Sequence, residues 1–169
     1  MEFRQVVRMA LERNAGDLKK TLDGLTAQER RFQPAPQANH IDYIVWHLAR
    51  VEDDFIHRAL LTDSLWQREG WYEQLGLPET GNGTRYDAEQ VRGLPPFDMT
   101  ELWSYYEEVR TAGNQFIDTL TDADLERPAR TDRPEYTIGH MLSHLMVEVS
   151  QHAGEVAYLR GLQRGLGPD

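Results

Sequence analysis

The sequence contains no cysteine. That absence excludes disulfides, thiolate nucleophiles and cysteine-ligated zinc, and it is compatible with any redox compartment. Basic residues are also scarce: 18 Lys and Arg stand against 28 Asp and Glu, for a formal net charge of −10. Such a balance repels nucleic-acid phosphates and anionic membrane surfaces. Long hydrophobic runs are missing too. No apolar stretch approaches the roughly 18 residues of a membrane span. The opening MEFRQVVRMALERN interrupts its apolar positions with charges, so no signal peptide is expected. The expected location is the cytoplasm, with neither membrane nor nucleic acid as a partner. Strand signals are poor, and no solenoid-length repeat is visible.

What is present is helical periodicity. The 169 residues, 40% hydrophobic, suit one domain over residues 1–169. Phe3, Val6, Val7, Ala10, Leu11, Leu18, Leu22 and Leu25 recur at spacings of three and four, interrupted at Asn14, and predict a helix over about 3–25. Thr26 and Glu29 then form a capping-box pattern for a short extra turn. A second helix is expected over about 39–61 with Asn39 as N-cap, a third over about 99–120 behind Asp98, and a fourth over about 138–162. Four long helices favour an all-α bundle. The connection 62–97 exceeds thirty residues, which is long for a structureless loop. It holds Trp66, Trp71, Tyr72 and Tyr86, so it is expected to pack on the bundle, with Trp71 and Tyr72 serving as a lid or as an anchor. Its length also lets the second and third helices run parallel.

Histidine is confined to six positions, His40, His47, His57, His140, His144 and His152, and all of them lie on or at the start of the second and fourth helices. On the fourth helix His140, His144, Glu148 and His152 follow one another at intervals of four, a ridge that drifts only ~40° per step. On an ideal helix Glu148 and His152 point into the apolar arc with Met141 and Leu145, whereas His140 and His144 lie at its margin. A carboxylate directed into an apolar face is expensive unless paired or metal-bound. His47, at the edge of the second helix's stripe, can meet them. Two imidazoles and one carboxylate suit Zn²⁺, Ni²⁺ or Fe²⁺ and leave positions open for water or substrate. The alternative is that both histidines are core-edge residues and Glu148 pairs with an arginine. His57 and the run Glu52-Asp53-Asp54 read as solvated, His40 as a surface neighbour of the cap, and Tyr105 and Tyr106 as core. Asn14 is either directed at the cavity or bonded to a neighbouring helix.

The segment Trp46-His47-Leu48-Ala49-Arg50-Val51-Glu52-Asp53 resembles the second-helix motif of the DinB/YfiT-like superfamily. His144-Leu-Met-Val-Glu148-Val-Ser-Gln-His152-Ala-Gly-Glu155, followed by Tyr158-Leu-Arg-Gly161, resembles its fourth-helix motif. Glu at position 148, where the commoner pattern has His, together with Gly70-Trp-Tyr-Glu-Gln-Leu-Gly-Leu-Pro78, is similar to the branch that includes mycothiol-dependent maleylpyruvate isomerase. The likeness spans nearly the whole chain. It implies an up-down-down-up four-helix bundle with a long crossover between helices two and three, and metal ligands His47, Glu148 and His152. It also implies a homodimer through bundle faces, a small-molecule substrate and a low-molecular-weight thiol cosubstrate. The isomerase carries a further C-terminal domain, so its particular reaction is not expected here.

Three functions compete on this reading. The first is a metal-dependent thiol S-transferase, zinc being the preferred ion over nickel or iron; no general base is assigned, and His144 reads either as a proton acceptor near the metal or as a packed polar residue at the helix edge. The second is a non-catalytic metal-binding or dimeric scaffold of a stress response. The third, ranked last, is a non-haem iron oxygenase. The acidic balance makes a prediction common to all three: at physiological salt a gel-shift titration with duplex DNA gives no complex at micromolar protein, and a nanomolar dissociation constant contradicts it.

Overall fold

A computed structural model describes residues 2–165. In chain order the helices are α1 Phe3–Leu22, α2 Ala27–Arg30, α3 Ile41–Leu60, α4 Leu65–Arg68, α5 Trp71–Gln74, α6 Ala88–Arg92, α7 Met99–Thr119 and α8 Ile138–Arg164, with a 3₁₀ turn at Asp122–Glu126 before α8. Among the described residues there is no strand, only an isolated bridge between Pro128 and Thr137. None of the described helices is long and apolar enough to cross a membrane.

The long helices α1, α3, α7 and α8 form the bundle, and side-chain pairings fix their directions. Arg8 meets Asp118 and Lys19 meets Glu107, so α1 and α7 are antiparallel. His47 faces Glu148 while Phe55 faces His144, so α3 and α8 are antiparallel. Arg50 meets Tyr105 and Glu52 meets Arg110 further along, so α3 and α7 run parallel. That gives the up-down-down-up order. Two parallel neighbours cannot be joined by a tight turn, and the residues between α3 and α7 supply the crossover.

Most boundaries follow local chemistry. Glu2 and Gln5 close a capping box on α1. That helix stops at Leu22, three residues before the end predicted from periodicity, because Asp23 is extended and Gly24 takes φ 69°. Thr26 and Glu29 then cap α2 as expected. The cap of α3 is His40 rather than Asn39: its Nδ1 accepts from the Tyr43 amide and its Nε2 donates to the Val91 carbonyl. His40 is therefore buried, and burial lowers its pKa. The helix α8 runs two residues past the expected 162.

The largest departure concerns the face of α3 that reads as solvated. Glu52, Asp53 and His57 are buried, Asp53 and His57 beneath the crossover and Glu52 against α7. Periodicity locates an apolar stripe, but it assigns the opposite face to water by default, and here protein takes the water's place. The polar groups are accordingly paired. Glu52 binds Arg110 of α7. Asp53 accepts from the Leu65 and Trp66 amides at 2.9 Å each, from the Tyr105 hydroxyl at 2.7 Å, from His57 at 2.8 Å and from Arg50 at 3.3 Å. Asp54 takes Arg50 at 3.0 Å and the Asn82 amide group at 2.8 Å. Arg50 also donates to the Gly81 carbonyl and lies over the Trp66 ring. One acidic run thus holds the crossover at both 65–66 and 81–82.

Trp66 and Trp71 are buried where the crossover packs, both against Tyr105. The indole of Trp71 donates to Glu108 of α7. Trp71 and Tyr72 therefore anchor the crossover, and neither lines the cavity described below. Tyr105 and Tyr106 are core residues, as read from their stripe.

Burial alone would raise the Asp53 pKa, but the bonds from His57, Tyr105 and the two amides overcome it and hold it below the ordinary aspartate value. A carboxyl depressed in this way contributes stability above its unfolded value of about 4, and that contribution is lost as pH falls through the folded value. Asp53→Ala is expected to lose about 3–5 kcal/mol at pH 7, because it strands Arg50 and two amides. Urea unfolding checks this, and the gap between variant and wild type should narrow in acid.

Candidate metal centre

Helices α3 and α8 cross so that His47, Glu148 and His152 face one another. One ligand-type atom from each lies within 4.8 Å of the other two. Glu148 Oε1 is 3.5 Å from His47 Nε2 and 3.2 Å from His152 Nε2. These match the roughly 3.4 Å edge of a tetrahedron built on bonds of about 2.1 Å. The two rings stand edge to face at 5.3 Å.

The far nitrogens determine what these atoms can do. His47 Nδ1 lies 2.5 Å from the Asn82 carbonyl, which can only accept, so Nδ1 carries the proton and the Nε2 lone pair is directed at Glu148. His152 Nδ1 lies 2.9 Å from Glu155 Oε2, with the same consequence. A carbonyl or carboxylate behind each imidazole is the arrangement that orients metal-binding histidines. The donor set and its tautomers therefore fit a divalent cation.

The backbone carbonyl behind His47 is delivered by the crossover at its closest approach. Gly83 has φ 85°, and a Cβ there would stand 2.8 Å from Trp46 and 3.2 Å from His47 Nδ1. Only glycine lets the chain descend this far. Tyr43 stacks on the His47 ring at 5.5 Å and donates to the Gly83 carbonyl.

The triad opens into a cavity of about 670 Å³, within the usual range for small-molecule sites. Its walls come from α3, α8, the crossover at 82–85 and the connection before α8 at 130–136. His144 lines it, half-exposed, with Nε2 3.6 Å from Glu148 Oε2 and Nδ1 3.0 Å from the Tyr136 hydroxyl. His140 is exposed at the start of α8, bonded to its own cap Thr137. His57 belongs to the Asp53 cluster on the other side of α3. Asn14 is half-buried on α1 and does not line the cavity.

Sequence reasoning did not find Asn82, Glu155 or Tyr43 as supporting residues, nor the arginines of the cavity wall. Glu155 was findable, lying one turn beyond His152. The Gly81-Asn82-Gly83 tripeptide signalled a turn, but nothing in it named His47 as the neighbour.

An all-α bundle with two imidazoles and a carboxylate at the α3–α8 crossing defines a protein of the DinB-like class. The family model described as mycothiol-S-transferase matches residues 6–165, and the chain belongs to that family. The crystal structure of a conserved protein from Enterococcus faecalis superposes with a TM-score of 0.88, covering 98% of this chain and 99% of the other at 22% identity, a likeness of fold. No curated protein sequence matches.

Burial lowers the His47 pKa. Burial also works against the His152 imidazolium, but Glu155 and Glu148 outweigh it, and the pKa is raised. In the metal-free protein, an NMR titration of the ring protons should place His47 below and His152 above the usual value of about 6.5. Glu155→Gln should lower the His152 midpoint and leave His47 unmoved.

Proposed function

We propose that the chain is a metal-dependent S-transferase that joins a low-molecular-weight thiol, mycothiol by the family's name, to a small electrophile. The observation that carries the reading is the convergence of His47 Nε2, Glu148 Oε1 and His152 Nε2 at the end of a substrate-sized cavity, in a chain of this family. Those three residues hold the ion, and zinc suits two imidazoles and a carboxylate. A bound divalent ion supplies Lewis acidity that makes a coordinated thiol a thiolate at neutral pH. The protein's own groups do the rest. Asn82 and Glu155 keep both imidazoles turned toward the ion. Tyr43 and Val51 form an apolar wall that limits water, and the cavity seats the electrophile beside the sulfur. His144 takes the thiol proton: it lines the cavity next to Glu148, and Tyr136 holds its other nitrogen. The sulfur–carbon bond then forms as a leaving group departs, or, for an activated alkene, as the double bond opens and the proton returns to the adjacent carbon.

The absence of cysteine supports this division of labour, since the nucleophilic sulfur must come from the cosubstrate. Wild-type protein should bind one zinc ion per chain, measured by metal analysis of untagged protein. His47→Ala should weaken zinc at least about 100-fold, because His152 and Glu148 on one helix are left alone, and Glu155→Gln should weaken it by about 10–100-fold. Neither should shift the melting temperature of the metal-free protein by more than a few degrees. Unchanged zinc content in His47→Ala removes that residue from the ligand set. Zinc binding without thiol-dependent turnover across a panel of electrophiles removes the transferase reading.

A further inference from the structure

The chain is acidic overall, yet the wall of this cavity is not. Arg58, Arg85, Arg130 and Arg133 line it against the single carboxylate of Glu148 among the lining residues, a formal balance of +3 with histidines neutral. The pairing of arginines across the molecule makes the concentration specific. All 16 arginines lie within the described residues. Thirteen of them engage a carboxylate or a backbone carbonyl, as Arg130 does with Asp132, Arg31 with Pro95 and Arg160 with Thr21. Among the described residues the three without an ion pair or side-chain hydrogen bond are Arg58, Arg85 and Arg133, and all three line this cavity. In a protein with ten more acidic than basic groups, free guanidinium groups are not for want of partners. Arg85 moreover takes φ 65°, a left-handed backbone that suits glycine or asparagine better than arginine. The side chain is retained at a position its backbone disfavours.

Guanidinium forks bind carboxylates and phosphates through paired, charge-assisted bonds. We infer that one of the two small molecules brought together here carries at least two acidic groups, which Arg85 and Arg133 bind from opposite loops at the cavity mouth, with Arg58 reinforcing them from α3. This rests on the transferase reading for the statement that the ligand is a substrate; the anion site itself does not need the metal. Val51 and Phe55 leave room for an apolar body between the acidic groups and the triad. Either the thiol or the electrophile can be the acidic partner, and binding separates them.

The test is calorimetric titration of the metal-free protein with mercaptosuccinate and with fumarate, against the neutral 2-mercaptoethanol and dimethyl fumarate. The chain has no cysteine for these electrophiles to modify. At least one diacid should bind about tenfold or more tightly than its neutral counterpart, and the affinity should fall with added salt. The better-bound diacid identifies the acidic partner. Arg85→Gln/Arg133→Gln should abolish the preference, while Arg13→Gln/Arg68→Gln, which removes the same charge from distant surface positions, should retain it. Both double variants alter exposed side chains, and a thermal melt verifies folding. No preference for the diacids in metal-free wild type, or an undiminished preference in Arg85→Gln/Arg133→Gln, overturns the inference. Zinc titration of the same samples is read separately. Diacid binding without zinc binding refutes the metal reading and leaves the anion site, whereas zinc binding without diacid preference does the reverse.

Discussion

The buried carboxylate of Asp53 is the point on which the structure turns. It sits on the face of α3 away from α8 and takes up the free amides at the start of α4, the Tyr105 hydroxyl of α7, and the side chains of His57 and Arg50. A charged group removed from water survives only if its bonding capacity is filled, and here every donor comes from an element that must be in place. The anchored crossover then continues through Arg50 and Asp54 to Gly81 and Asn82, and the Asn82 carbonyl sets the tautomer of His47. The orientation of a candidate metal ligand on one side of α3 therefore depends on a salt-bridged cluster on the other.

This dependence explains why the bundle tolerates so polar a central helix. Parallel packing of α3 and α7 demands a long connection, and a long connection laid across a helix buries whatever that helix presents. An apolar face there would have merged with the core; an acidic one with arginine, tyrosine and histidine partners gives the crossover a defined register. Gly113 serves the same end on α7, where a Cβ would meet Ile56 at 2.8 Å and Glu52 at 3.1 Å, so the two parallel helices approach closely at the Glu52–Arg110 pair. Charge is distributed with equal consequence in the cavity, where arginines without an ion pair among the described residues share the lining with a half-buried carboxylate and two imidazoles.

Periodicity alone was enough to locate four long helices within a few residues, because each has an apolar stripe at three- and four-residue spacing and a capping residue at its start. It also put Glu148 and His152 on an apolar arc and His47 at the edge of the α3 stripe, which is how the three come to face one another where α3 and α8 cross. The length and aromatic content of the crossover told that it would pack down. Composition told what the chain lacks: a cysteine thiol of its own and an excess of positive charge.

Only the tertiary structure decided the rest. His40, His57, Glu52 and Asp53 read as solvated because a helical wheel knows one helix at a time, and their burial is caused by a segment distant in sequence. Asn82 as the acceptor behind His47, Tyr43 stacked on its ring, and three free arginines gathered from α3 and two separate loops are relations between elements, invisible to spacing within any one of them. Local periodicity determines which face of a helix is apolar; what covers the other face, and so which polar groups are anchors and which are free to bind a ligand, is settled by the path of the chain between helices.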